Sequence, residues 1–445
     1  LLAISEVWTS PDNTQLVIAT KGAPEAIADL CHLTEELTVQ LNTIVAGMAA
    51  DGLRVLGVAK AVRSGGALPD QQHDFDFEFL GLIALADPVR PAVPNAVREC
   101  QTAGIRVIMI TGDYPGTALS IARQIGLESP EGAITGPEVA AMDEAALRDH
   151  VRRANVFARA VPEQKLQLVN ALKANGEIVA MTGDGVNDSP ALKAAHIGIA
   201  MGQRGTDVAR EAADLVLLDD DFSSIVQAVR LGRRIFDNLE KAMAYVFAIH
   251  VPIAGLSLCA VLFRWPLILE PIHIAFLELI IDPACSIVFE AEAEEDDVMQ
   301  RPPRPATEHL FNRQMITMSL LQGAGALAIL LAIFGIALNR GQGAEDARTL
   351  TFTALVLANL AMIVTNRSWS RSLFGILKTP NAAMWWVVGT AFTVLPLVLY
   401  VPMLRGLFHF STLHASDVAL CLGAGVLSLA WFETLKVFRG TPPVA

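Results

Sequence analysis

Thr182-Gly183-Asp184-Gly185-Val186-Asn187-Asp188-Ser189-Pro190-Ala191-Leu192-Lys193 follows the short apolar run Ile178–Met181. A hydroxyl, glycines and carboxylates are thus delivered at the end of a predicted strand. The same combination recurs upstream, where Thr111-Gly112-Asp113 follows Ile105–Ile110. Glycine lets backbone N–H groups approach an anion, threonine offers a hydroxyl to a phosphoryl oxygen, and a carboxylate is the hard oxygen ligand that Mg²⁺ takes. Two such strand ends imply phosphate and magnesium chemistry. Further β-rich runs lie at Phe79–Ala84, Val156–Ala158, Ile197–Met201 and Leu215–Leu218. Between the runs lie helical patterns, Pro91–Ala103, Pro115–Ile125 and Pro162–Ala174, with proline in the first turn where its missing N–H costs nothing. Alternation of this kind predicts a parallel α/β sheet, whose chemistry collects at the C-terminal strand ends.

Beyond Lys241 the solvent changes. Long uncharged runs follow one another: Ala242–Phe263, Leu267–Phe289, Met315–Leu338, Leu350–Asn366, Ala382–Leu404 and Ala415–Phe432. Each is long enough to span a bilayer as a helix, which takes about 18 or more apolar residues. Six crossings are expected. Arg301, Arg304, Arg313, Arg367, Arg371, Lys378, Lys436 and Arg439 fall in alternate loops, which places those loops, the soluble part and the C-terminus on the cytoplasmic side. The expected location is a membrane, as a multi-pass integral protein, the plasma membrane if the source is bacterial. Over all 445 residues the chain is 53% hydrophobic and 18% charged, with net charge −13 and mean hydropathy +0.44. Those values exclude a disordered chain, a coiled coil and a nucleic-acid binder. Five cysteines without close pairing give neither a disulfide framework nor a thiolate metal site.

The run TGDGVNDSPALK at 182–193 closely resembles the hinge motif of P-type cation-transporting ATPases, whose phosphorylation domain has the haloacid-dehalogenase fold. Further landmarks stand in the family's order: Lys21-Gly22-Ala23-Pro24-Glu25, Asp51-Gly52-Leu53-Arg54, Asp87-Pro88-Val89-Arg90 and Thr111-Gly112-Asp113. The resemblance covers essentially the whole chain and points to the calcium-pump-like subgroup with ten membrane helices. It implies the C-terminal part of a nucleotide-binding domain at 1–78, a Rossmann-like phosphorylation domain at 79–241 and a six-helix transmembrane domain at 242–437. It also implies ATP and Mg²⁺ as cofactors. Asp184 would hold Mg²⁺, with Asn187 and Asp188 tying the loop around it. Thr111, Gly112, Asp113 and Lys165 would orient the phosphoryl group. Lys21, Gly22, Arg54 and Arg159 would contact the nucleotide. Asp87 and Arg90 would do so too, or else form an ion pair at the hinge between two domains.

The family's aspartyl phosphate forms on a DKTGT motif, and no DKTGT occurs in these residues. The chain therefore reads as the C-terminal part of a pump, inactive by itself in ATP turnover and partnered by the missing N-terminal half. The alternative is a non-catalytic truncated membrane protein that acts as a binding or regulatory partner.

Ionisable residues within a span are functional candidates. Glu278 and Asp282 lie four residues apart on one helical face, and Pro283 is expected to free backbone carbonyls near Asp282. Both fall where related calcium pumps coordinate their ion. His250, mid-span in the preceding helix, and Asn359 are further candidates, each with an ordinary packing or helix-to-helix role as its alternative. Ile253 replaces the usual carboxylate, which leaves the ion open among calcium, first, and manganese, protons or sodium. The acidic run Glu290–Asp297, on the cytoplasmic side of the second span, is expected to be a solvated loop, with a cation-gathering antechamber as its alternative.

Overall fold

The computed structural model describes residues 3–439 apart from 13, 65–67, 70, 87, 306–309, 370 and 372. Two compact units emerge, residues 1–227 and 228–445.

The first unit opens with an antiparallel sheet of β1 (Ala3–Thr9), β2 (Gln15–Gly22), β3 (Arg54–Ser64) and β4 (Glu78–Leu85), in that order. Helices α1 (Pro24–Leu30) and α2 (Glu35–Ala50) cover one face. Gly57 of β3 permits the close approach of α1, because a Cβ there would stand 2.9 Å from that of Ile27. The run Phe79–Ala84 belongs to this sheet, paired antiparallel with β3, and does not join the parallel strands. A run that is apolar on both faces carries no period to distinguish the two settings. Here Phe79 and Leu82 pack inward beside Leu41 and Val45, while Leu80 and Ile83 stay exposed.

The rest of the unit is the expected wound α/β structure. Its helices are α3 (Val93–Thr102), α4 (Pro115–Gln124), α5 (Gly136–Ala141), α6 (Glu144–Arg153), α7 (Pro162–Ala174), α8 (Ser189–Ala194) and α9 (Asp207–Ala212). Strands β5 (Met109–Ile110), β6 (Ile134–Thr135) and β7 (Val156–Ala158) form one parallel sheet in the order β5-β7-β6. Strands β8 (Ala180–Gly183), β9 (Ile197–Met201) and β10 (Leu215–Leu217) form another in the order β10-β9-β8. Among the described residues β5 and β8 are end strands of their sheets. Both border the same core, in which Ile108, Ile110 and Met181 pack around Phe157, Leu168 and Val179.

The second unit carries the six spans. Helix α10 (Phe222–Leu262) has 41 residues, about 60 Å at ~1.5 Å per residue, roughly twice a hydrocarbon core. It begins twenty residues before the expected span at Ala242, because charged residues such as Arg230, Arg233 and Lys241 alter what the helix faces without interrupting it. The others are α11 (Pro271–Pro283), which runs on through a π-turn at Ala284–Val288, α12 (Arg313–Asn339), α13 (Ala344–Asn366), α15 (Ala382–Tyr400) and α17 (Ala415–Arg439). Short helices α14 (Leu373–Lys378) and α16 (Pro402–Leu407) link them. The fifth span ends at Tyr400, before its expected limit at Leu404, since Pro402 starts a new helix. In α13 89% of the most apolar window is buried against 28–39% in the other spans, so α13 is the central helix. Glycines set the closest contacts: a Cβ on Gly323 of α12 would lie 2.3 Å from the Ala248 carbonyl, and one on Gly255 of α10 would lie 2.3 Å from Leu327.

Candidate functional site

The loop after β8 is organised by Asp188. One of its carboxylate oxygens accepts from the Asp184 and Gly185 N–H groups at 3.3 and 3.2 Å, and the other from Lys165 Nζ at 2.6 Å. Asp188 and Lys165 are both largely buried, so this is a shielded ion pair. Gly183 is required beneath it, since a Cβ there would stand 2.5 Å from that of Asp188. Asp184 itself is exposed, and its side chain has no hydrogen-bond partner among the described residues. Its carbonyl accepts from Thr206 N–H at 2.9 Å, which pins the loop at 202–206 against it. Asn187 was expected to share in tying this loop, yet its side chain is exposed and makes no hydrogen bond among the described residues.

That neighbouring loop is held by a residue sequence reasoning missed. Asp220, buried, accepts from the N–H groups of Gln203 and Arg204 at 3.0 and 2.9 Å. Burial pushes its carboxyl up, but those N–H groups, that of Gly202 and the Arg204 charge outweigh it and hold the carboxyl below its ordinary value. Asp220 adopts a left-handed φ of 53°, which aspartate tolerates. Its carbonyl accepts from the Arg90 guanidinium. Asp87, the other half of the anticipated hinge pair, lies outside the described residues.

At the end of β5, Thr111 Oγ1 donates to Asp113 Oδ2 at 3.0 Å and accepts from the Asp113 N–H at 3.1 Å, a compact turn. Apart from its chain neighbours, no described residue lies within 4 Å of where a Gly112 Cβ would be. Arg54 comes within 3.6 Å of Asp113, and Arg159 donates to Glu25 at 2.6 Å with its guanidinium 5.8 Å from the Tyr114 ring. Arg159 has φ 55°, a strained setting for arginine directly after β7. The segment at 21–25, Arg54, the turn at 111–114 and Arg159 are therefore drawn together. Lys21 is exposed and Gly22 is buried opposite Gly57. Glu25 and Tyr114 were not singled out from sequence, although Glu25 stands inside a quoted motif.

In the membrane unit, Glu278 is half-buried and Asp282 exposed, one turn apart on α11. The Asp282 carbonyl accepts from Ser286 Oγ at 2.6 Å. The donor removed by Pro283 is the one that would reach Leu279, four residues back. His250 is exposed, with Nδ1 2.8 Å from the Val246 carbonyl. Asn359 is fully buried on α13, and neither amide atom has a partner among the described residues. The Tyr245 hydroxyl on α10 is likewise buried and without a partner among the described residues. No group of three or more His, Cys, Asp or Glu side chains placed to hold a metal occurs among the described residues.

Comparison with known proteins adds the family. A family model described as haloacid dehalogenase-like hydrolase matches residues 12–196, a second of that description matches 164–229, and one for the cation transporting ATPase C-terminus matches 266–438. The chain is 33% identical to calcium-transporting ATPase 1 of Schizosaccharomyces pombe over 97% of its own length and 50% of that protein. This chain belongs to the P-type cation-transporting ATPases. It is also 34% identical to a calcium-transporting ATPase of Bacillus subtilis over 92% of this chain and 47% of that protein. With the probable cation-transporting ATPase F of Mycobacterium tuberculosis it shares 36% over 89% and 46%. It spans about half the length of the curated relatives it matches.

The six apolar helices make this P-type ATPase chain a multi-pass membrane protein. Its acidic segment departs from expectation. Glu290–Asp297 was read as a solvated loop, yet Glu292 and Glu295 are only 2% and 8% exposed. Arg367, fully buried, grips Glu292 through two bonds of 2.6 and 3.1 Å. Lys241 meets Glu295 at 2.6 Å. Asn381 donates to Glu292 at 2.8 Å and Ser368 to Glu295 at 2.8 Å. Arg371 pairs with exposed Asp296, the hydrogen bond between them lowering the Asp296 carboxyl and raising the guanidinium. Composition misled here because the partners sit 54 to 89 residues away in sequence.

Proposed function

We propose that this chain supplies the phosphate-handling and ion-translocating parts of an ATP-driven cation pump. Calcium is the first candidate, ahead of manganese, sodium and protons, with the soluble part cytoplasmic. The observation that carries the reading is Asp184: an exposed carboxylate at a parallel strand end, in a loop already fixed by the Lys165–Asp188 pair. An oxygen donor open to water fits Mg²⁺, which keeps several waters and takes few protein ligands. Bound there with ATP, Mg²⁺ supplies neutralisation of charge on the transferring phosphoryl group.

The chain's own residues do the rest. Thr111, whose hydroxyl donates to Asp113 in this structure, would turn that proton to a phosphoryl oxygen, the open space at Gly112 admits an anion to the backbone, and Lys165 contributes a positive charge held in place by Asp188. Exposed Lys21 and Arg54, with Arg159, are suited to a nucleotide phosphate or base. The acceptor carboxylate is assigned to a DKTGT segment of the wider protein. Glu278 and Asp282 would bind the cation, and unpartnered Asn359 would complete its oxygen shell.

The test uses the natural polypeptide that contains this sequence, in sealed vesicles with ATP. Uptake of ⁴⁵Ca²⁺ is expected, together with Ca²⁺-stimulated phosphorylation that is abolished in Glu278→Gln and Asp282→Asn. Unchanged stimulation removes the mutated residue from the site, and ATP-independent distribution of all four candidate ions overturns the pump reading.

A further inference from the structure

Within the first unit, the antiparallel sheet with its two helices meets the wound α/β part along a packed seam between α2 and α4. Thr117 of α4, 3% exposed, donates its hydroxyl to the Leu53 carbonyl at 2.9 Å. A Cβ on Gly116 would stand 3.2 Å from that of Ala49. Two ion pairs cross beside this seam, Arg54 to Asp113 at 3.6 Å and Arg159 to Glu25 at 2.6 Å.

The two arginines are held differently. Arg54 is largely exposed and its contact is loose, whereas the Arg159 side chain is only 24% exposed and makes a short, charge-assisted hydrogen bond. The backbone of Arg159 is fixed from two sides. Its N–H donates to the Asp113 carbonyl at 3.1 Å, and the next N–H, that of Ala160, donates to the Thr111 carbonyl at 3.0 Å. Its own carbonyl overlies Gly136, where a Cβ would stand 2.2 Å away. These contacts hold Arg159 in the left-handed region, which an exposed ion pair by itself does not require. The guanidinium is thereby presented from the phosphate-site turn, with the Tyr114 ring 5.8 Å away, toward the segment that carries Lys21. Glu25, in the first turn of α1, takes one of its nitrogens.

We propose that Glu25 is a latch on Arg159 that a nucleotide phosphate must displace, so that ATP and the Glu25 carboxylate compete for one guanidinium. The inference rests on the reading of Lys21, Arg54 and Arg159 as nucleotide contacts. Two effects of Glu25 share one sign: its oxygens take donors that a phosphate would use, and its charge repels the phosphates. Glu25 therefore weakens nucleotide binding while it ties the two parts of the unit together, and its removal acts only on ligands that carry phosphate.

The test measures displacement of a fluorescent ATP analogue by ATP and by adenosine, on the natural polypeptide that contains this sequence. Glu25 is nearly half exposed, so Glu25→Gln leaves the core untouched. It should tighten ATP binding about three- to fivefold and leave adenosine within about twofold. In an Arg159→Gln background the same change should leave ATP binding within about twofold. Lys21→Gln reports on the nucleotide reading alone and should weaken ATP binding. Unchanged or weaker ATP binding in Glu25→Gln, with the loss in Lys21→Gln intact, overturns the latch and spares the nucleotide reading. An equal gain for adenosine, or a gain that survives Arg159→Gln, also overturns the latch. Failure of ATP to displace the analogue from any variant overturns the nucleotide reading and the latch with it.

Discussion

Replacing Arg367 with methionine tests whether the acidic segment is part of the packed membrane unit. The guanidinium is fully buried and makes two bonds to Glu292, at 2.6 and 3.1 Å, and one each to the carbonyls of Ile376 and Thr379, at 3.2 and 3.0 Å. Its removal leaves the Glu292 carboxylate, 2% exposed, with Asn381 at 2.8 Å as its remaining side-chain donor. Breaking a buried pair from one side costs about 3–5 kcal/mol, because the surviving charge stays desolvated. Removing both charges, in Arg367→Met with Glu292→Met, removes that penalty. What remains is the loss of donors to two backbone carbonyls, about 1 kcal/mol each. The double variant should therefore be more stable than Arg367→Met alone, and the two single losses should sum to at least about 2 kcal/mol more than the double loss. Reversible unfolding in mixed detergent and dodecyl sulfate micelles, followed by tryptophan fluorescence, measures all four corners of the cycle. A loss below about 1 kcal/mol for Arg367→Met, or additive singles, would refute the buried clamp and restore a solvated loop.

Two further outcomes follow from the phosphate-site loops. Gly183→Ala should force Asp188 from its place, since the new Cβ would lie 2.5 Å from that of Asp188; overpacking of this kind costs about 1–3 kcal/mol. Amide exchange at Asp184 and Gly185 should accelerate, and unchanged exchange would mean the loop does not depend on that carboxylate. For Asp220, a folded carboxyl held below its ordinary value of 3.8 adds stability that is complete above that value and is lost as pH falls through the lower folded value. Asp220→Asn should thus be less stable than the unmodified chain at neutral pH and converge with it in acid melts; a gap that persists at low pH would assign the loss to packing.

Much of this protein was legible in one dimension. Six spans follow from run length and charge, because a bilayer imposes its thickness on any helix that crosses it. The strand ends at Thr111 and Thr182 follow from the order of apolar run, glycine and carboxylate, since phosphate chemistry needs those groups within a few residues of one another. Tertiary structure decided whatever depended on distant partners. It turned Phe79–Ala84 into an antiparallel strand, carried α10 back to Phe222 and tied Asp188 to Lys165 while leaving Asn187 free of such a role. It also buried Glu292 and Glu295 under Arg367 and Lys241. Local sequence sets a residue's period and charge, but whether a carboxylate faces water or a guanidinium depends on what the fold brings beside it from 54 or 75 residues away.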